Sequence, residues 1–482
     1  MIAVQGVESE VHFGCKAVCH LVNDLNVAVT LDRGSPVPVR TQILTQLRDA
    51  ITDRVLAPGD PLPSTRLLAA ALGVSRTTVT NCYLELEGDG WVVSSQGAGT
   101  FVAGRDSATS MPMPTPAATA VPLFDLRPGG VDPALLSPGA WRRLWRPGAP
   151  SASAPDPCGV PALRAALAGY LASARGLACT PAEIVVCAGT AEAVTLLVAA
   201  LGWAGATVAT EDPGYPAIRN VLRRNAVSVA PIDVTDPGRV PGLLDSCDAA
   251  GVYLTPSHHY PLGHRLSEAQ RRQVITWADR TGAVVIEDDY DGEFSFGLAP
   301  STSMAGLSPL SSVVFIGTLS KVLDPGLRLA YLRVPLHLVD AVRAAREDLG
   351  PTVATAVQDG VAGFIAAGEL SRHVAKARRI YADRRRALLA ELRAVPAVVD
   401  LIGIDAGLHI VAMLQPELSS AQVVDEASQQ GVELLDLDEF RFRPQYDKPG
   451  LVFGYSAHAP ADIRNALGML RNCPELRKVD RS

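Results

Sequence analysis

The sequence predicts a multi-domain protein in which a small α+β unit precedes a large α/β unit. Three observations lead there. The chain has 482 residues, too many for one ordinary domain. Residues 103–122 read AGRDSATSMPMPTPAATAVP, with four prolines and two charges, which is the composition of a semi-extended linker. Beyond that stretch, short β-branched runs alternate with helix-sized segments, the texture of a mostly parallel sheet covered on both faces. The expected division is an extension over 1–30, a compact unit over 31–102, the linker, and a large unit over 123–482.

Hydrophobic residues make up 48% of the chain and charged ones 19%, enough to bury large cores. Eight cysteines are scattered. Cys15 and Cys19 have no second pair, so no metal site is expected, and lone thiols suit a reducing compartment. Glu8, Glu10 and Asp24 stand where a signal peptide would need a basic and then an apolar run. The uncharged stretch 193–210 is interrupted by Gly202 and Gly205, so it reads as a buried helix and then a buried strand, not a membrane span. A soluble, cytoplasmic protein is expected. The net charge of −7 neither advertises nor excludes nucleic acid, because the local field at a docking face decides.

In the first unit, Ile43, Leu47 and Ile51 form one helical stripe. Pro58-Gly59 makes a turn. Ser64 caps a second helix, Thr65 to Leu72, with Leu67, Leu68 and Ala71 inward, and Gly73 stops it. Ser75 caps a third, from Arg76 to about Glu87, with Val79, Tyr83 and Leu86 on its apolar face. Helix, short glycine turn, helix is a helix-turn-helix. Two short strands around Gly97-Ala98-Gly99 then make a β-wing. In such a unit the third helix presents its first residues to base edges in the major groove, here Arg76, Thr77, Thr78 and Asn81. Ser64, Thr65 and Arg66 begin the second helix, where free N–H groups favour phosphate. By residues alone the unit is either a DNA reader or a three-helix packing module. Its six arginines against seven acidic residues over 31–102 lean mildly towards the latter.

In the second unit, apolar strands are expected at 184–186, 207–209, 251–254, 283–286 and 313–316, and a long charged amphipathic helix at 373–392. Lys321 follows the last of these strands in Gly317-Thr318-Leu319-Ser320-Lys321. A lysine among small hydroxylated residues at a strand end is placed for imine chemistry with an aldehyde cofactor. Thr318 and Ser320 offer hydrogen bonds to a phosphate, and Arg328 offers it a counter-charge. Asp288, ending another strand, offers a carboxylate to a protonated pyridine nitrogen, and Tyr290 reaches a phenolic oxygen. Thr190 and Ala191 open a helix after Gly189, with free N–H groups for phosphate. Tyr215 offers a ring to stack on. Each piece alone has a bland reading as a surface lysine, a solvated carboxylate or an ordinary helix start; their order along one sheet carries the argument.

The segments Pro63-Ser64-Thr65-Arg66, Leu72-Gly73-Val74-Ser75-Arg76-Thr77-Thr78-Val79 and Gly99-Thr100-Phe101-Val102 resemble the winged helix-turn-helix of GntR-family regulators. That resemblance implies operator binding as a dimer through Arg66, Arg76 and the wing around Gly97. From about Asp125 to Leu470 the order glycine helix start, aromatic, Asp-x-Tyr, Ser-Lys, Arg is similar to fold-type-I pyridoxal-phosphate enzymes of the aspartate aminotransferase group, with a smaller C-terminal α/β subdomain. A winged helix ahead of such a domain is similar to the MocR subfamily of GntR regulators. The resemblance implies that Lys321 forms the Schiff base with pyridoxal 5′-phosphate. It implies further that Asp288 pairs with the pyridine nitrogen, Tyr290 bonds the phenolic oxygen, Ser320, Arg328 and Thr190 hold the phosphate, and Tyr215 covers the ring. It also implies a homodimer.

Three departures bear on function. Leu451 aligns with the arginine that grips a substrate α-carboxylate in aminotransferases, and an apolar side chain cannot replace it. Arg441 and Arg443 are alternative cations, each with a bland reading as a surface or packing arginine. Ala191-Glu192 replaces the usual pair of glutamines, and Tyr260 stands where many of these enzymes have a cofactor-contacting asparagine. The expectation is therefore a pyridoxal-phosphate-dependent regulator that binds double-stranded operator DNA. Its effector is expected to be the cofactor itself, with control of vitamin B6 synthesis, or an amino compound. The rival is an active aminotransferase with a fused DNA-binding module.

Overall fold

The computed structural model describes residues 18–19, 29–95, 99–104, 122–146, 155–297, 302–308, 310–444 and 448–481. Most of the expected extension and linker, Cys15, the Cys19 side chain, and Gly97 and Ala98 of the expected wing lie outside the described residues. The chain divides into two compact units, Met1–Ala118 and Thr119–Ser482.

The small unit packs three helices and a two-stranded antiparallel ribbon. Val39–Thr52 buries Ile43, Leu44, Leu47 and Ala50. Ser64 Oγ accepts the Leu67 N–H and starts Thr65–Leu72, and Gly73, in the left-handed conformation at φ 61°, ends it. This helix buries Leu68, Ala69 and Leu72, while Leu67 is 62% exposed. Leu68 faces inward as expected, Ala71 is half-buried and Leu67 points out, its place on the inward stripe taken by Ala69 and Leu72. Arg76–Gly88 buries Val79, Cys82, Tyr83 and Leu86. The Tyr83 hydroxyl donates to the Pro63 carbonyl, tying this helix to the turn before Thr65–Leu72. Val92–Ser95 pairs with Gly99–Val102 in the register Val92 to Val102.

The large unit is built on a seven-stranded sheet. Its spatial order is Ile184–Cys187, Ala330–Arg333, Val313–Thr318, Val284–Asp289, Gly251–Leu254, Thr207–Asp212, Ser228–Asp233. Every pairing is parallel except the two made by Ala330–Arg333. Alternate residues feed two separate cores: Ile184 and Val186 enter one, Val185 and Cys187 the other. Both faces are therefore covered, as continuous apolar strands require.

Two strands were hidden from sequence patterning. Ser228–Asp233 lies on the sheet edge, carries Pro231 and is largely open to solvent. An edge tolerates a proline because one row of its N–H groups needs no partner. Ala330–Arg333, not among the expected strands, runs antiparallel to both of its neighbours. The stretch tested as a membrane span is the helix Thr190–Ala200 followed by the strand Thr207–Asp212. Among the described residues no helix is long and apolar enough to cross a membrane.

The C-terminal part follows the 25-residue helix Glu369–Arg393. It contains an antiparallel four-stranded sheet in the order Val398–Ile402, His409–Leu414, Gly450–Gly454, Leu435–Asp436. The parallel strands of the large sheet all end on one edge, and the antiparallel strand begins there. That shared edge brings residues 188–191, 213–215, 255, 288–290, 318–321 and 328 within reach of one another.

Candidate functional site

That edge encloses a cavity of about 270 Å³ in the large unit. Its lining includes Thr190, Ala191, Tyr215, Asp288, Tyr290, Thr318, Ser320, Lys321 and Arg328. These nine are the residues singled out for cofactor chemistry, and they come from five separate stretches of chain.

Lys321 lies against the backbone of Gly129, whose carbonyl accepts from Nζ at 3.3 Å. A Cβ at Gly129 would sit 2.1 Å from that nitrogen, so only glycine, here at φ 105°, admits the amine. Burial, and then the nearby Arg328 charge, lower the Lys321 pKa, while Asp288 and Asp291 oppose the shift. The effect enlarges the neutral, nucleophilic fraction of the amine.

Asp288 is buried, and burial pushes its carboxyl up to about 7 against a hydrogen bond donated by the Tyr253 hydroxyl to Oδ2. Its other oxygen, Oδ1, has no partner among the described residues. A buried carboxylate oxygen left open is costly unless a donor arrives.

The opposite end is built for an anion. Gly189, at φ 121°, caps Thr190–Ala200 without a side-chain hydrogen bond. The first N–H groups of this helix, those of Thr190 and Ala191, therefore stay available. The Arg328 guanidinium lies over this turn: a Cβ on Gly189 would come within 3.2 Å of Nη2. Arg328 itself is left-handed at φ 46°. Ser320 lines the same end, whereas Thr318 Oγ1 is occupied locally, accepting the Ser320 N–H at 3.2 Å. Tyr215, 41% exposed, stands edge-on to Tyr260 with centroids 5.7 Å apart.

Sequence reasoning missed several neighbours. Tyr253 sits inside an apolar strand run that hides its hydroxyl. Gly129 lies 192 residues from the lysine it touches. His258, Asp291 and His409 cluster beside Tyr290, all three buried, with donor atoms within 4.8 Å of one another. Only the packing of distant segments reveals them.

The residues in place of the carboxylate-binding arginine are also visible. Leu451 is buried in the main core and Val452 in a small cluster with Leu262, Leu437 and Phe440. Arg441 pairs with Asp438 and is not among the cavity-lining residues, and neither is Arg443. The lining cations are Lys321 and Arg328; His409 is held neutral by burial.

In the small unit, the side chains at the start of Arg76–Gly88 split into two groups. Ser75 Oγ accepts the Thr78 N–H at 3.1 Å and contacts Thr78 Oγ1 at 2.8 Å, so both hydroxyls serve the cap. Ser64 likewise caps its helix. Arg66, Arg76, Thr77 and Asn81 are exposed. Arg76 Nε reaches Thr65 Oγ1 at 3.3 Å, which ties the starts of the two helices together. Arg40 and Arg48 are consumed by Glu85 and Asp89. Neither Arg66 nor Arg76 takes part in an ion pair among the described residues. The near-neutral total thus conceals a locally uncompensated positive face. Gly97 lies outside the described residues.

Residues 148–467 match the family Aminotransferase class I and II, and residues 39–102 match Bacterial regulatory proteins, gntR family. The chain is similar to the HTH-type pyridoxine biosynthesis transcriptional regulator PdxR of Corynebacterium glutamicum, 31% identical and covering 94% of this chain and 99% of that one. It is 30% identical to the probable rhizopine catabolism regulatory protein MocR of Rhizobium meliloti, covering 92% and 95%. It is also 32% identical to the HTH-type transcriptional regulator TauR of Rhodobacter capsulatus, covering 71% and 78%. Among solved structures, the kynurenine aminotransferase of Pyrococcus horikoshii superposes with a TM-score of 0.65 at 20% identity, covering 75% of this chain and 92% of that one.

Proposed function

The chain belongs to the MocR-type GntR regulators, in which a gntR-family winged helix is fused to an aminotransferase class I and II domain, and on that footing we propose that it senses pyridoxal 5′-phosphate and passes the signal to operator DNA. It is an HTH-type transcriptional regulator; the proposal concerns its cofactor, its effector and its residues.

One observation carries the reading: the cavity lining holds a group suited to each part of the cofactor, and among the described residues Arg328 is its one guanidinium. The open Asp288 Oδ1 suits a protonated ring nitrogen. The Thr190 and Ala191 N–H groups, Ser320 and Arg328 suit a phosphate, with Thr318 bracing Ser320. Tyr215 suits a ring face, and Tyr290 a phenolic oxygen. Lys321 supplies an amine that burial keeps reactive. When bound, the cofactor supplies an aldehyde able to link to an amine and a ring that withdraws electrons.

An α-amino acid substrate needs a cation for its carboxylate, and the position aligned with that arginine is apolar. The cofactor itself, or an amino compound recognised without that grip, is therefore the effector. The name of the Corynebacterium glutamicum relative, a regulator of pyridoxine biosynthesis, favours control of vitamin B6 synthesis here. The DNA-reading residues are Arg66, Arg76, Thr77 and Asn81, with Ser64, Thr65, Ser75 and Thr78 shaping their helix starts. A homodimer on a two-half-site operator, acting in the cytoplasm, completes the reading. For the cofactor to signal, it must bind two arrangements of the protein with different affinity.

The test is a footprint on the upstream region of the protein's own gene, with and without pyridoxal phosphate. The expected result is protection whose extent or affinity changes with the cofactor in the wild type but not in Lys321→Ala. Identical footprints in all four conditions would refute the sensing role. Sustained keto-acid production from a panel of amino acids would favour the working aminotransferase instead.

A further inference from the structure

The anion end carries a carboxylate that the cofactor reading leaves unexplained. Glu192 stands one residue beyond Ala191, in the first turn of Thr190–Ala200. An acidic side chain there is ordinary for a helix, whose N-terminus favours negative charge. It is adverse for a phosphate, because a second anion competes for the same helix end and opposes Arg328 across one turn.

The fold disposes of that charge. Glu192 is not among the residues lining the cavity, although Gly189, Thr190 and Ala191 all are. Its side chain runs back along the turn instead. Oε2 accepts the Ala188 N–H at 3.1 Å, which is half of a capping box displaced by one residue. Oε1 meets Arg346 Nη2 at 2.6 Å. The Arg346 side chain is 0% exposed, whereas that of Glu192 keeps 23%. Arg346 comes from the helix Leu336–Leu349, and its guanidinium also donates to the Gly350 carbonyl at 3.2 Å and to Cys187 Sγ at 3.3 Å. Burial pushes the Cys187 thiol well above its ordinary value, so that sulfur is neutral. Among the described residues Glu192 is therefore the one anion paired with this buried cation.

We infer that Glu192 and Arg346 are positioning residues for the phosphate: Arg346 cancels the Glu192 charge and holds its carboxylate on the Ala188 N–H, which leaves the Thr190 and Ala191 N–H groups open to the anion. This deepens the cofactor reading and rests on it. The atoms that meet the phosphate all belong to the local turns; the distant arginine acts by removing a charge from beside them. Without Arg346 the carboxylate stands uncompensated at the helix start, and the loss falls on phosphorylated ligands alone.

The experiment titrates the cofactor-free full-length protein with pyridoxal phosphate and, separately, with pyridoxal, following the visible absorption at one pH and ionic strength. The readout is the ratio of the two affinities, in which general damage to the cavity cancels. It compares the wild type with Arg346→Met, Glu192→Gln and the double variant Arg346→Met/Glu192→Gln. Glutamine keeps an oxygen for the Ala188 N–H but carries no charge. Arg346→Met is expected to lower the ratio by roughly five- to tenfold, the effect of one partly screened charge beside a phosphate. Glu192→Gln should raise it by roughly two- to fivefold, because Arg346 is then unopposed, and the double variant should return it to near the wild-type value. An unmoved ratio in Arg346→Met, or a double variant no better than that single one, would overturn the proposal while leaving the cofactor reading intact. A wild type that binds neither ligand, or both equally, would refute the cofactor reading itself. If Arg346→Met does not fold, the other two variants decide: a ratio raised in Glu192→Gln and restored in the double variant supports the proposal, and a ratio unchanged in both contradicts it.

Discussion

The two ends of the cavity were assembled in different ways. The anion end is local: Gly189, Thr190 and Ala191 are consecutive, and Ser320 and Arg328 lie within eight residues of one another around a single turn. A helix start, a hydroxyl and a guanidinium suffice there, and each has a recognisable sequence form. The ring end is tertiary: Asp288 depends on Tyr253 from the neighbouring strand, and Tyr290 on His258 and Asp291, locked by Gly407 from the C-terminal part. Affinity drawn from the first end is electrostatic and direct. On the proposed reading, the second end meets the cofactor through Asp288 and Tyr290, each held by buried groups from other segments.

Variants can break this contrast, and Arg328→Ala should act most strongly. Losing a charge-assisted contact to a phosphate is expected to weaken cofactor affinity by ~10–100-fold in spectroscopic titrations. A change below twofold would remove Arg328 from the anion site. In the small unit, Arg76→Ala should cost about 1–3 kcal/mol of operator affinity at fixed salt and leave the absorption spectrum unchanged. Equal affinity would remove Arg76 from the reading face.

Tyr253→Phe should cost less, a loss of affinity of roughly two- to tenfold, because a single hydrogen bond supporting Asp288 is deleted. Its effect should add to that of Arg328→Ala, since the two sit at opposite ends; strong coupling between them would erase the distinction drawn here.

The smallest effect concerns pH. Asp288 at about 7 and Glu211 at about 8 are raised by burial above ordinary carboxylate values. The folded chain therefore holds protons that the unfolded chain has released. Their contribution to stability is present at low pH and is lost as pH rises from about 4 through 8. Chemical denaturation of the cofactor-free protein should show this decline, and Asp288→Asn should flatten its part. A cofactor-free protein whose stability rises over that window, with Asp288→Asn making no difference, would contradict the buried, open state of this carboxylate.

The same contrast explains what the sequence disclosed. Lys321, Asp288 and Tyr290 lie at the ends of strands that apolar runs mark out, so most of the sheet and its functional edge were legible, whereas Arg328 precedes a strand that was not. The helix-turn-helix was legible from Ser64, Gly73 and Ser75, residues whose chemistry dictates where helices begin and end. Leu67 misled because a leucine on a short helix need not face inward. Ser228–Asp233 was obscured by its proline and its exposure. Gly129, Tyr253, His258 and His409 gain meaning only from partners many residues away, which no local pattern contains.

The most direct test of the central claim is to reduce the cofactor-loaded protein with borohydride and map the modified peptide by mass spectrometry. A single phosphopyridoxyl group on Lys321, absent in Lys321→Ala, is expected. A label on Lys16, Lys376, Lys448 or Lys478 instead, or no label at saturating cofactor, would contradict it.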